Sequence, residues 1–255
     1  MDLTVLGCHG GETPKHRTSS FLLNKRVGID AGAITGVLSL EEQRGIEAIL
    51  VSHAHMDHVR DLATLADNRC QQEGPPLRIV GTPATLRALK KHFFNDHLWP
   101  DFSRIETAAG PTLRYEPIVP GKSVDVCGLA VTPILVHHTI ETAAFLVQTP
   151  TGSLAYSGDT GPTTAFWDAL NACKDLKALL MEVSFPDEQD ELARVSGHHT
   201  PQTLHTELKK LRGHDDLPIL LYHIKPVFHA RVERQLARLR GRNLTVLQLE
   251  DQFVL

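Results

Sequence analysis

The chain has 255 residues, with 26 basic and 30 acidic side chains and a formal charge of −4. Apolar residues make up 42% and charged residues 22%, which excludes a disordered chain and allows a full hydrophobic core. No apolar run approaches a bilayer span, and Met1-Asp2-Leu3-Thr4-Val5-Leu6-Gly7 lacks a secretory pattern, so no membrane partner is expected.

In chain order, short runs rich in Val, Ile and Leu predict strands at Leu3–Leu6, Ser20–Leu23, Val27–Ile29 and Ala48–Val51. A helix over Asp61–Asn68, a strand at Leu77–Val80 and a helix over Pro83–Phe93 follow. Four strands are then expected, at Leu113–Ile118, Leu129–Leu135, Ala144–Gln148 and Ser153–Tyr156. The rest alternates: helix Thr163–Ala172, strand Ala178–Met181, helix Pro201–Leu211, strand Ile219–Tyr222, helix His229–Leu239, strand Leu244–Leu247. Thr82-Pro83, Thr160-Gly161-Pro162 and Thr200-Pro201 place Pro near a first helical turn. Two strand-then-helix halves predict an α/β chain with two sheets face to face and helices outside, and residues 1–255 read as one domain.

Cys8, Cys70, Cys127 and Cys173 stand far apart with no C-x-x-C pair, which fits reduced thiols and a cytoplasmic location. The mild negative charge argues against a general nucleic-acid binder, whose footprint would be a basic face. The unusual number is 15 histidines. Imidazole is the commonest metal ligand and the usual acid/base group near neutral pH.

The strongest signal is Ser52-His53-Ala54-His55-Met56-Asp57-His58, directly after the apolar run Ala48–Val51. Three imidazoles and a carboxylate at a strand end make a poor core segment, because each buried polar group needs a partner. They suit divalent metal: His53 and His55 can converge on one ion while Asp57 and His58 turn towards a second. Imidazole and carboxylate without thiolate favour Zn²⁺, with Mn²⁺ or Fe²⁺ as alternatives.

This H-x-H-x-D-H string resembles the metal signature of the metallo-β-lactamase superfamily. That family's later ligand positions have counterparts, in order, at Val136-His137-His138-Thr139-Ile140, Tyr156-Ser157-Gly158-Asp159-Thr160 and Tyr222-His223-Ile224-Lys225-Pro226, each at a predicted strand end. The resemblance implies a four-layer αβ/βα sandwich of two mixed sheets. It further implies one metal on His53, His55 and His138, a second on Asp57, His58 and His223, and Asp159 between them. At the doublet, the family pattern favours His138 over His137.

Lys91-His92-Phe93-Phe94-Asn95-Asp96-His97-Leu98-Trp99-Pro100-Asp101-Phe102 resembles the F-N-x-x-I-W-P-D-F stretch of class II 3′,5′-cyclic-nucleotide phosphodiesterases; it reads equally as a helix end packing Phe93, Phe94 and Trp99 into the core. Gly7-Cys8-His9-Gly10-Gly11, Met181-Glu182-Val183-Ser184-Phe185-Pro186 and Gly197-His198-His199-Thr200-Pro201 are similar to the same family. The likeness implies hydrolysis of cAMP or cGMP to the 5′-monophosphate by a metal-bridging hydroxide, with Asp57, Glu182 and His198 catalytic. It also implies a small phosphodiester substrate held by Asn95, His97, Trp99 and Lys225, and a homodimer. A departure is His97, where the family often has another residue. The competing reading is a tRNase Z-like endonuclease, which needs a basic arm for its polyanion. No Lys/Arg-rich insertion is visible.

The residues themselves assign Asp30 to a hydrogen bond behind a metal-bound histidine rather than to substrate. Arg231, Arg234 and Arg238 share one face of a solvated amphipathic helix. His137 and His199 are expected beside ligand or acid positions. Of the remaining histidines, His9 and His229 are expected nearest the site.

Overall fold

Fifteen short strands and a return strand arise because the apolar runs alternate sides rather than turning with helical period. The structure is a computed structural model describing residues 1–255. In chain order the elements begin with β1 (Asp2–Gly7), β2 (Ser20–Leu23), β3 (Val27–Ile29), α1 (Leu40–Gly45), β4 (Ala48–Val51), α2 (Met56–Val59) and α3 (Leu62–Gln71). Then come β5 (Leu77–Gly81), α4 (Pro83–His92), a small hairpin of β6 (Glu106–Thr107) and β7 (Gly110–Pro111), and β8 (Leu113–Pro117). The second half runs β9 (Val124–Val126), β10 (Leu129–Val136), β11 (Thr142–Thr149), β12 (Gly152–Tyr156), α5 (Ala165–Ala172) and β13 (Leu176–Glu182). It ends with α6 (Asp190–Ser196), α7 (Pro201–Glu207), β14 (Pro218–Tyr222), α8 (His229–Leu236), β15 (Asn243–Val246) and β16 (Gln252–Val254).

The strands form two seven-stranded mixed sheets, ordered β16-β1-β2-β3-β4-β5-β8 and β15-β14-β13-β12-β11-β10-β9. In each, an antiparallel half passes into a parallel half, at β3–β4 in the first sheet and at β12–β13 in the second. Period-2 alternation sends the residues of one strand to two cores. Ala48 and Leu50 face the layer between the sheets, while Ile49 and Val51 face α3 and α4. Likewise Ala178 and Leu180 point between the sheets, and Leu179 and Met181 pack under α5, α7 and α8. The result is the expected four-layer α/β sandwich. Because β4 and β13 are covered on both sides, their sequences read as nearly unbroken apolar runs.

Elements that differ from expectation have local causes. The helix after Thr160 starts at Ala165, not Thr163, since the Thr163 amide donates to the Glu207 carboxylate at 3.1 Å. The helix from Pro201 stops at Glu207 rather than Leu211 and tightens into a 3₁₀ turn over Leu208–Lys210. Glu207 is there engaged by Trp167 Nε1 at 2.8 Å. Helix α8 ends at Leu236, so Arg238 lies beyond it. Seven short elements were not expected: α1, α2, α6, the β6–β7 hairpin strands, β9 and the edge strand β16 that pairs with β1. No helix is long and apolar enough to cross a membrane.

Phe145 is fully buried between the sheets, beside Tyr156. Phe145→Ala is expected to cost ~3–5 kcal/mol of unfolding free energy in urea denaturation. A loss under about 1 kcal/mol would mean that the inter-sheet layer is not the packed core described.

Candidate metal centre

The strands that matter end on one edge of the sandwich. In the second sheet β12, β13 and β14 are parallel, and two antiparallel steps through β11 bring β10 into the same direction. The segments after their carboxyl ends therefore deliver His138, Asp159, Glu182 and His223 to one place. From the first sheet, β4 delivers Ser52 and His53, and a hydrogen bond from Ala143 N to Ser52 O (3.0 Å) joins the two sheet edges. After His53, α2 is a single turn that puts Asp57 and His58 on consecutive positions of a helix beginning beside His55.

Two groups of donor atoms result. His53, His55 and His138 form one; Asp57, His58, Asp159 and His223 form the other, each group's ligand atoms lying within 4.8 Å of one another. His55 Nδ1 is 3.0 Å from His53 Nε2 and 3.1 Å from His138 Nε2. Asp159 Oδ2 lies 3.2 Å from His58 Nε2, 3.3 Å from His223 Nε2 and 3.8 Å from His53 Nε2, so it reaches both groups. Asp57 Oδ2 is 3.3 Å from His223 Nε2.

Four of the five inner histidine nitrogens are aimed by a partner on the far side of the ring. The His138 Nδ1–H donates to Gly197 O (3.0 Å), and His58 Nδ1–H donates to Asp30 Oδ2 (2.7 Å). Both partners only accept, so neutral rings present Nε2 lone pairs inward. His53 Nδ1 is held by Ser52 Oγ at 3.0 Å and His223 Nδ1 by Ser184 Oγ at 2.8 Å. Gly197 has φ +68°, and a Cβ there would stand 2.9 Å from His138 Cα, so glycine is needed for this approach.

These residues fit a divalent cation. Lone pairs and a carboxylate oxygen face one another at 3.0–3.4 Å, and the buried Asp159 Oδ1 has no hydrogen-bond partner. Burial opposes a charge on His58, yet Asp159 and Asp30 outweigh it and hold its proton affinity well above the usual range. Burial drives His53 the other way, well below its ordinary value, helped by His58.

Behind the ligand groups, Asp30 accepts from Ser52 N (2.8 Å), Ser52 Oγ (2.8 Å), His58 Nδ1 and Tyr156 OH (2.6 Å). Its φ of +56° is strained for a non-glycine residue, as is that of His223 at +71°. Alongside, buried Glu182 accepts from His198 Nδ1 at 3.1 Å, and Ser184 Oγ donates to its other oxygen at 3.0 Å. The His198 ring lies 5.0 Å from that of His138 and 5.2 Å from that of His223. Burial raises Glu182 to about 7 and lowers His198.

His137 does not join the cluster; its carbonyl accepts from Gly161 N at 2.8 Å. Lys225 does reach it, with Nζ 3.9 Å from Asp57 Oδ2. Asn95, His97 and Trp99 make no hydrogen bond or ion pair with the cluster. Asn95 Oδ1 accepts from His97 N and Leu98 N, and Trp99 Nε1 donates to Ala63 O at 3.1 Å. Phe93, Phe94 and Phe102 of the same stretch are buried in the core under α3 and α4. Sequence reading missed Ser52, Tyr156, Ser184 and Gly197 as positioning residues, although all four stand inside segments it singled out.

A family model described as a beta-lactamase superfamily domain matches residues 29–224. The chain belongs to the metallo-β-lactamase superfamily. Within this superfamily it is 25% identical, over 277 aligned residues, to a Yersinia pestis protein named "Probable 3′,5′-cyclic-nucleotide phosphodiesterase". The alignment covers 89% of this chain and 79% of that protein. The crystal structure of unliganded yeast PDE1 superposes with a TM-score of 0.83 at 20% identity, covering 98% of each chain. Human tRNase Z, short form, superposes at 0.72 with 19% identity, covering 100% of this chain and 99% of that one. This superfamily member thus has the metallo-hydrolase fold together with a His/Asp donor cluster suited to divalent metal.

Asp30→Asn keeps a side chain that tolerates positive φ but alters the acceptor for His58 Nδ1–H. Metal affinity is expected to fall ~10–100-fold by chelator competition, and an unchanged affinity would show that Asp30 does not orient His58 towards metal.

Proposed function

We propose that the chain is a two-metal phosphodiesterase that opens 3′,5′-cyclic nucleotides, cAMP or cGMP, to 5′-monophosphates. His53, His55 and His138 would hold one ion, Asp57, His58 and His223 the other, with Asp159 shared between them. Zn²⁺ suits this thiolate-free donor set best, ahead of Mn²⁺ or Fe²⁺. When bound, such ions supply Lewis-acid polarisation of phosphoryl oxygens and a nucleophile drawn from water at neutral pH.

The observation that carries the reading is the Glu182–His198 pair beside the donor cluster. The product needs a proton on the departing 3′ oxygen once the P–O3′ bond breaks. His198 is held through Nδ1, which leaves Nε2 to donate that proton, while Glu182 orients the ring and stabilises its charged form. Glu182, raised to about 7 by burial, sits where an acid/base pair works near neutral pH. Ser184 keeps carboxylate and imidazole in register by contacting Glu182, His198 and His223 at 3.0, 3.3 and 2.8 Å. Asp57 would share the second ion with His223, and it faces Lys225, whose ammonium would meet the substrate's phosphate charge. The Yersinia relative's name supports a small phosphodiester substrate. The four free cysteines fit a cytoplasmic setting.

Metal-loaded protein is expected to hydrolyse cAMP or cGMP and to stop on addition of EDTA. His198→Ala should lower kcat by ~10²–10⁴-fold with metal content unchanged. Intact cyclic nucleotides alongside cleavage of precursor tRNA would replace this reading with the tRNase Z-like one.

A further inference from the structure

Five histidines are absorbed by the donor groups and one by the acid pair, yet the structure gathers three others into a second cluster. His9 follows β1, His16 lies in the loop before β2, and His229 opens α8. Their ring centroids are 4.6 Å (His9–His16), 5.4 Å (His9–His229) and 5.7 Å (His16–His229) apart. For comparison, the His53, His55 and His138 rings of the central cluster are spaced 4.7, 5.0 and 5.0 Å. Segments 213 residues apart in the chain would have no reason to bring three imidazoles this close if each bore a proton, since like charges repel.

The outer nitrogens of this trio are engaged. His9 Nδ1 lies 3.3 Å from Arg17 O, His16 Nδ1 2.6 Å from Thr13 Oγ1, and His229 Nδ1 3.4 Å from Glu233 Oε2. No protein group lies within hydrogen-bond distance of any of the three Nε2 atoms. His9 Nδ1 also lies 3.4 Å from Arg17 N, so its ring takes either tautomer there; with Nδ1–H towards Arg17 O, its Nε2 lone pair is free.

We propose that His9, His16 and His229 form a separate binding site for a divalent transition-metal ion of the Zn²⁺ or Ni²⁺ type, with three imidazole Nε2 ligands and a fourth position open to water. His9 is 5% exposed and fixed, whereas His16 and His229 are partly exposed. The three ligand nitrogens do not lie as close together as those of the central groups, so binding an ion would require the His16 and His229 side chains to turn inward. The ion would tie the β1–β2 loop to α8 across the segment that carries His223. That segment is packed tightly: the His9 backbone bridges to Ile224, and a Cβ on Gly10 would stand 2.4 Å from His223 O. The site would therefore clamp the backbone behind a residue of the central cluster. The rival account is that the rings merely pack, since His9 and His16 meet edge to face at 85°.

A His16→Phe/His229→Phe double variant keeps two aromatic rings and removes two ligands; His16→Ala/His229→Ala removes both rings. Zn²⁺ bound per chain would be counted after equilibrium dialysis for wild type, both double variants and His53→Gln/Asp159→Asn. Both double variants are expected to bind one ion fewer than wild type while keeping a native circular-dichroism spectrum. The His53→Gln/Asp159→Asn protein should still bind an ion that is lost when the His16 and His229 substitutions are added. Loading that protein with Co²⁺ should give the visible absorption of a low-symmetry, imidazole-ligated ion. Equal Zn²⁺ counts in wild type and a natively folded Phe variant would overturn the proposal and leave an aromatic cluster only.

Discussion

A buried carboxylate set among imidazoles is the constraint on which the rest of the molecule depends. Asp159 is 1% exposed, its Oδ2 faces three histidines from two sheets, and its Oδ1 faces no donor. Removing such a charge from water costs several kcal/mol unless something compensates it. Two non-glycine residues held at positive φ, Asp30 and His223, add about 1–3 kcal/mol each. The hydrophobic layer between the sheets, from Leu3 and Phe21 through Phe145 to Tyr222, is what holds these unfavourable groups together. The edge where parallel strands end supplies the polar loops, because backbone groups there are free to bind ligands.

The ligand types were legible because imidazole and carboxylate at a strand end are expensive anywhere except at a site. His53, His55, Asp57 and His58 announce themselves within six positions, and the later ligands follow strands whose apolar runs are easy to read. Two sheets with helices outside were legible from the two strand-then-helix halves, and the family resemblance implied the four layers; β4 and β13, covered on both sides, are the apolar runs that result. The shell behind the ligands was not legible. Nothing in the letters distinguishes Ser184 from a surface serine; its contacts exist only because β13 and β14 lie parallel in one sheet. Tyr156 likewise reads as core until its hydroxyl is seen to reach Asp30.

Short elements were lost where local signals are strong but brief. Ser39 and Glu42 form a capping box around α1, and Gly197 in the left-handed region ends α6, but six or seven residues carry too little periodicity to stand out. The strand β16 depends on pairing with β1, a contact between chain ends that no local pattern reveals. The 94–102 stretch shows the opposite case. Its aromatic residues drew attention, and the structure spends Phe94 and Phe102 on the core and Asn95 on its own turn.

In the proposed function, two ions share Asp159. Anomalous X-ray diffraction at the metal absorption edge, on crystals grown with saturating Zn²⁺, tests it most directly. Two peaks roughly 3.5–4 Å apart are predicted, one against His53, His55 and His138, the other against Asp57, His58 and His223, with Asp159 touching both. A single peak among these residues, or two peaks with Asp159 turned away, would contradict it.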